Sequence, residues 1–291
     1  VLNNGLPIPA MGLGTYKICG ADGVRTLQVA LTAGYRLFDT ASAYGNESTL
    51  GEALAGSGVN RADVFVVSKL GPRFHRPDRV EEGVRESLTR LGLDCVDLYL
   101  IHSPVGMKYE DEAVVDDDVS PLDTWRALEE CYRKELVRSI GVSNFSEVQL
   151  REILEKGSVK PAVQQFECSV GFREERMVKL CRKEGILVMA YRPLGKPRPE
   201  QRKPDYLYSG TVVEIARELN KTPAQVALRW LIEEGLVPIP KSSNPERLKE
   251  NLAALDFKLD QEIMERLRTS VVQHERTATL DWLKGAKHYS F

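Results

Sequence analysis

No stretch of this 291-residue chain reaches the roughly eighteen consecutive apolar residues that a membrane-spanning helix needs. A dense basic run is also missing. Lys and Arg total 40 against 42 Asp and Glu, a net charge of −2, so the chain has nothing to follow a phosphate backbone and nucleic acid is not an expected partner. Cysteine is sparse and scattered, at Cys19, Cys95, Cys131, Cys168 and Cys181. An odd set without a two-residue spacing suits neither a zinc site nor a redox pair, and it fits reduced thiols in the cytoplasm. Residues 1–10 carry Pro7 and Pro9 and resemble neither a signal peptide nor an anchor. The acidic run Asp116, Asp117 and Asp118 is expected to be a solvated loop rather than a metal site.

What is present is a regular alternation. Short runs rich in β-branched and aromatic residues, such as 35–38, 64–68 and 96–101, read as buried parallel strands. Between them lie helical stretches. Val80, Val84, Leu88 and Leu91 recur at spacings of four and three, Ser146 and Gln149 form a capping-box signature, and Thr222-Pro223 supplies a cap followed by a first-turn proline. Further strands are expected at 11–14, 137–141, 162–165, 187–190 and 236–239, giving eight in all. An open doubly wound sheet usually begins with a glycine-rich dinucleotide fingerprint, and Gly12 and Gly14 lack its third glycine. The expected fold is therefore an eight-stranded parallel α/β barrel of the (β/α)8 type, a single domain over residues 1–291, since about 250 residues suffice for one such barrel. Segments 105–120, 195–209 and 269–291 escape the repeat and are expected as long loops that set substrate choice.

Polar residues end the strands. Asp39, Lys69 and His102 terminate three of the first apolar runs, and Tyr44 follows shortly after the first. Singly, each has an ordinary explanation: a helix cap, a half-buried aromatic, a surface amine, a satisfied core histidine. Together at one rim of a barrel they suit carbonyl reduction. A phenol with an ordinary pKa near ~10 is a poor acid at neutral pH and needs a neighbouring positive charge. Lys69 would supply that charge, Asp39 would keep the lysine protonated, and a neutral His102 would orient a carbonyl oxygen.

Hydride must come from a carrier, and the later strand ends suggest one. Ser143, Asn144 and Gln165 offer hydroxyl and amide partners for a carboxamide, and the ring of Tyr191 offers a stacking surface. Lys241, Ser242 and Asn244 precede a helix with Pro245 in its first turn, with Arg247 and Asn251 further on. That is an anion site, and a ribose phosphate favours NADPH over NADH.

At these residues the chain resembles the aldo-keto reductase superfamily. The segments 12–17 (GLGTYK), 38–47 (FDTASAYGNE), 100–104 (LIHSP), 141–145 (GVSNF) and 239–242 (IPKS) match its motifs in order across nearly the whole chain. The resemblance implies a monomeric barrel that reduces a small carbonyl compound with NADPH (NADP+), and a catalytic tetrad of Asp39, Tyr44, Lys69 and His102. It implies cofactor contacts from Thr15, Ser143, Asn144, Gln165, Tyr191 and Leu194, with Lys241, Ser242, Ser243, Asn244, Arg247, Glu250 and Asn251 at the ribose phosphate and adenine.

Departures from the family pattern bear on substrate. Ser103 and Tyr16 stand where many relatives carry Trp, which predicts a wider and more polar pocket. Arg192 and Lys196 replace residues that are commonly small, at positions expected near the pyrophosphate, and Arg73 is expected on the substrate side. Together with a short tail, these departures predict polar or acidic substrates such as sugar-derived aldehydes or keto acids. Two other functions fit parts of the pattern: a Schiff-base aldolase using Lys69, and a cofactor-binding relative with a regulatory or lens-protein role.

Overall fold

The computed structural model describes residues 1–196, 205–208, 210–271, 273, 275–278 and 283–289. Much of the expected 195–209 loop and part of the tail lie outside the described residues. Eight parallel strands follow one another in sequence order: β1 (Leu13–Gly14), β2 (Leu37–Asp39), β3 (Phe65–Leu70), β4 (Leu98–Ile101), β5 (Ile140–Ser143), β6 (Val163–Glu167), β7 (Leu187–Tyr191) and β8 (Val237–Pro238). The amides of Gly12 and Gly14 donate to the carbonyls of Pro238 and Pro240, at 3.0 and 3.1 Å, so the first strand returns to the last and the sheet closes into a (β/α)8 barrel.

The helices outside the wall are α1 (Gly20–Ala33), α2 (Glu47–Ala55), α3 (Val80–Leu91), α4 (Pro121–Arg133), α5 (Glu147–Lys156), α6 (Glu175–Glu184), α7 (Thr211–Glu218), α8 (Pro223–Glu233), α9 (Pro245–Leu252) and α10 (Gln261–Ser270). Their ends follow local chemistry. Ser146 and Gln149 form the capping box of α5, and Thr222 and Gln225 that of α8 with Pro223 in the first turn. Helix α3 stops at Gly92 in the left-handed region, φ 64°.

Strand alternation decides which residues reach the site. Leu37, Val67, Leu98, Leu100, Val163 and Met189 belong to one apolar cluster, the packed interior of the barrel, while Phe38, Val66, Tyr99, Val142, Phe166 and Ala190 belong to the larger cluster beneath the helices. Continuing the inward parity by two residues toward the strand ends reaches Asp39, Lys69, His102, Ser143, Gln165 and Tyr191. The register Leu100↔Gly141 and Ser143↔Gln165 sets several of them at one height around the rim. At the other end the N-terminal residues plug the barrel: Leu2 is buried in the interior cluster, and the Asn3 and Asn4 amides donate to Pro161 O and Ser139 Oγ, both at 2.8 Å.

The acidic run differs from its expected solvated state at one position. Asp116 is 2 % exposed and accepts from Arg76 at 2.9 Å, because the loop folds back over the start of α3 instead of standing free. Among the described residues no group of three or more His, Cys, Asp or Glu side chains is placed to hold a metal, and no helix is long and apolar enough to cross a membrane. All five cysteines are free.

Candidate active site

The inward-facing polar residues open into a cavity of about 410 Å³ at the C-terminal rim. At its floor Lys69, wholly buried, spends all three ammonium protons. Nζ donates to Asp39 Oδ1 at 2.6 Å, to Thr40 O at 2.8 Å and to Tyr44 Oη at 3.4 Å. Burial works against this charge, but the Asp39 carboxylate and the Tyr44 phenol outweigh it and hold the lysine pKa above its ordinary value. An ammonium so held remains protonated at neutral pH.

Tyr44 enters the cavity from a 3₁₀ turn, Ser42–Tyr44. Its ring meets His102 edge to face, with centroids 5.5 Å apart and planes at 77°, and packs against Tyr16 at 5.1 Å. Burial raises the phenol pKa and the Lys69 charge pulls it down, with burial dominant. The phenol therefore carries its proton at rest, and the ammonium stands where charge would develop once that proton leaves. His102 is pushed down to about 3, first by burial and then by the Lys69 charge, so its imidazole is neutral at physiological pH and keeps one ring N–H to donate.

The same carboxylate reaches the other side of the cavity. Gln165 Nε2 donates to Asp39 Oδ2 at 2.7 Å, which leaves the Gln165 carbonyl without a donor among the described residues. Asn144 sits in the left-handed region, φ 62°, which turns its carboxamide back across the strand ends. Its Nδ2 donates to His102 O at 3.0 Å and to Ser143 Oγ at 3.1 Å, and its Oδ1 accepts from Tyr191 Oη at 2.7 Å. Tyr191 is thereby fixed with its ring as part of the wall. Thr15 Oγ1 is buried on the same wall and has no hydrogen-bond partner among the described residues, a group that a bound molecule would satisfy. Beside it, a Cβ on Gly14 would lie 3.0 Å from Ile239 O, so the β1 and β8 ends approach more closely there than a larger residue allows.

Beyond β8 the chain forms an open, basic corner. Lys241 lines the cavity, and both Lys241 and Arg247 are exposed without an ion pair to a described residue. Asn244 caps α9 by accepting from the Arg247 amide at 3.0 Å, and the Ser242 hydroxyl accepts from the Asn244 amide at 3.1 Å. Ser243 and Glu250 lie on the same outer corner, while Asn251 is buried in the last turn of α9.

Two expected substrate residues lie elsewhere. Arg73 is not on the cavity wall. Its guanidinium lies 3.4 Å from both Glu86 and Glu112 and 4.5 Å from the Phe74 ring, because the turn after β3 leads it outward onto acidic partners. Ser103 is buried and donates to Val105 O at 3.2 Å, closing its own turn, so it adds no polarity to the wall. Tyr16 and Leu194 do line the cavity. Arg192 lines it too, in a left-handed conformation with φ 49°, and Lys196 is exposed.

One feature had no sequence signal. Glu167, at the end of β6 and 2 % exposed, accepts from the Ala278 amide at 2.6 Å, from the Thr277 amide and hydroxyl, and from Arg192 at 3.5 Å. Arg192 also donates to Thr277 Oγ1 at 2.9 Å. A single buried carboxylate thus clasps the tail to the rim, and Ala278 becomes part of the cavity wall. Glu167 and Thr277 are 110 residues apart, too far for any local pattern to connect them.

Comparison with known proteins places this architecture. The Aldo/keto reductase family model matches residues 10–271. The chain is 41% identical to Aldo-keto reductase family 1 member A1-A of Danio rerio, over 94% of this chain and 90% of that protein. It is 37% identical to an NADPH-dependent D-xylose reductase of Meyerozyma guilliermondii, over 97% of each. An aldose reductase structure from Schistosoma japonicum superposes with a TM-score of 0.93 at 38% identity, covering 100% of this chain and 97% of its own. The barrel, the rim constellation and these matches together establish that the chain belongs to the aldo/keto reductase family.

Proposed function

We propose that this chain reduces an aldehyde or ketone to an alcohol with NADPH, and that Tyr44 delivers the proton. The observation that carries the proposal is the contact of Lys69 Nζ with Asp39 Oδ1 at 2.6 Å and Tyr44 Oη at 3.4 Å, at the floor of a cavity that also holds a neutral His102. Bound NADPH supplies a hydride to the carbonyl carbon. The chain does the rest: the His102 ring N–H orients the carbonyl oxygen, Tyr44 protonates it, and the Lys69 ammonium stabilises the phenolate left behind.

The wall fits the cofactor. Ser143, Asn144 and the unshared carbonyl of Gln165 offer partners for a carboxamide, the Tyr191 ring offers a stacking face, and Thr15 Oγ1 awaits a partner. The basic corner of Lys241 and Arg247, with Ser242, Ser243 and Asn244 at the start of α9, suits a ribose phosphate, and Glu250 and Asn251 suit the adenosine beside it. The Meyerozyma guilliermondii relative is named as NADPH-dependent, in keeping with this choice.

A polar, hydroxylated aldehyde is the favoured substrate class, supported by Tyr16 on the wall and by the relative named for D-xylose. An acidic substrate loses its expected anchor, since Arg73 is engaged by Glu86 and Glu112 and Arg192 by Glu167. Schiff-base chemistry is disfavoured because an amine that donates three hydrogen bonds and is held protonated has no lone pair for attack. The test is the consumption of NADPH by the purified chain with a sugar aldehyde, a neutral aromatic aldehyde and a keto acid in parallel. Stoichiometric alcohol formation supports the proposal, and no NADPH consumption with any of them overturns it.

A further inference from the structure

The turn that carries Tyr44 is only three residues long, so its backbone alone does not fix the phenol against β3. Side chains do so from two directions. Toward β1, Thr40 Oγ1 donates to Asn46 Oδ1 at 2.9 Å, and Asn46 Nδ2 donates to Thr15 O at 2.7 Å and Ile18 O at 2.8 Å. Toward α3, the work falls to Glu47, the first residue of α2 and 1 % exposed. Its Oε1 accepts from Ser68 Oγ at 2.5 Å and its Oε2 from Arg90 Nε at 2.7 Å. The same Arg90, in the last turn of α3, donates through a second nitrogen to Ser42 Oγ at 3.0 Å and through the third to Glu86 at 2.9 Å.

Ser42 lies two residues before the phenol, and Ser68 directly precedes Lys69. A pair needed only to hold α2 on α3 would have no reason to touch either. The helices are brought close enough for this by Gly51, where a Cβ would overlap the Leu91 carbonyl of α3. A planar guanidinium can serve a carboxylate and a hydroxyl at once, which the single nitrogen of lysine cannot do in the same geometry.

We propose that Arg90, Glu47 and Ser42 are positioning residues for Tyr44: the buried Glu47–Arg90 pair, tied to Ser68 on one side and Ser42 on the other, sets the phenol at its distance from the Lys69 ammonium. The proposal rests on Tyr44 being the proton donor. Because a displacement of about 1 Å can cost on the order of 10²-fold in rate, the network controls turnover without touching substrate.

The experiment compares Arg90→Met, Arg90→Lys and Ser42→Ala, each alone and combined with Tyr44→Phe, in steady-state turnover with NADPH and a simple aldehyde, with denaturant unfolding of each. Arg90→Met is expected to lower kcat roughly ten- to a hundredfold, and Ser42→Ala several-fold, while KM for NADPH stays within about twofold. Arg90→Lys keeps a charge opposite Glu47, so it should recover most of the stability but little of the kcat. In the Tyr44→Phe background these substitutions should cost nothing further, because the group they position is gone. An equal loss in that background, or full recovery of kcat in Arg90→Lys, overturns the proposal. Should Arg90→Met fail to fold, Ser42→Ala and Arg90→Lys still decide it. A crystal structure of Arg90→Lys separates the two claims: an unmoved Tyr44 overturns the positioning role, whereas a displaced Tyr44 with undiminished turnover shows that Tyr44 is not the acid.

Discussion

Asp39 joins the two halves of the cavity: one carboxylate oxygen accepts from Lys69 Nζ at 2.6 Å and the other from Gln165 Nε2 at 2.7 Å. The first contact compensates a wholly buried ammonium, and the second orients a carboxamide on the wall where a nicotinamide would lie. Under the proposed function, neutralising this one residue should therefore disturb both stability and cofactor binding.

Asp39→Asn should cost about 3–5 kcal/mol of unfolding free energy near neutral pH, because it strands the Lys69 charge in the interior. The pH dependence gives a sharper signature. In the native chain Lys69 has its pKa raised above 10.5, so its contribution is complete below that value and is lost as pH rises through the folded value. Without Asp39 burial dominates and lowers it. The unfolded state then binds more protons, and the variant should regain stability toward alkaline pH. Urea unfolding of both proteins from pH 7 to about 10 would show this, and parallel curves would contradict it.

His75 provides a second pH marker. It is buried, and burial pushes it down to about 3. As pH falls below about 6.5 the unfolded chain takes up a proton that folded His75 refuses, so stability falls by about 1.4 kcal/mol per pH unit from this group. Between pH 6.5 and 5, above most carboxylate titration, the slope should be shallower in His75→Asn than in the native chain. An unchanged slope would place the titration elsewhere. His102, also held near 3, should contribute no inflection around pH 6.5 to the profile of kcat.

If the proposed phosphate site is right, Lys241→Ala and Arg247→Ala should each weaken NADPH about tenfold or more while leaving NADH within about twofold, since each would remove a charge-assisted contact to a group that NADH lacks. Fluorescence titration with both dinucleotides would measure this. Equal losses for both would move the phosphate away from α9.

Glu167→Gln should release the tail. The buried carboxylate accepts from the Thr277 and Ala278 amides, and a neutral carboxamide there faces donors with its own NH2 group. Hydrogen exchange at Thr277 and Ala278 should quicken by an order of magnitude or more, with that of Val67 and Leu100 unchanged. Protection that survives the substitution would mean the clasp does not hold the tail.

The barrel was legible in the sequence because its signals are local. Short apolar runs ending in polar residues, the capping boxes at Ser146 and Thr222 and the helical spacing of Val80, Val84, Leu88 and Leu91 all act within a few residues. The convergence of Asp39, Lys69 and His102 also followed from the alternation of strands with helices, since strands of like direction end at one rim, as the parallel pairing of β2, β3 and β4 bears out. Arg73 was misplaced for a physical reason: its position after β3 put it near the rim, but its direction depended on Glu86 and Glu112, which no local rule connects to it. The Glu167 clasp on Thr277 and the Arg90 contacts to Glu47 and Ser42 were invisible for the same reason, each linking residues more than forty positions apart.

The most direct test of the central claim is single-residue: turnover of a simple aldehyde by Tyr44→Phe at saturating NADPH, with NADPH affinity measured on the same sample. The account predicts a fall in kcat on the order of 10²–10⁴-fold with affinity within about twofold, because only the proton donor has been removed. Near-native turnover in that variant would contradict it.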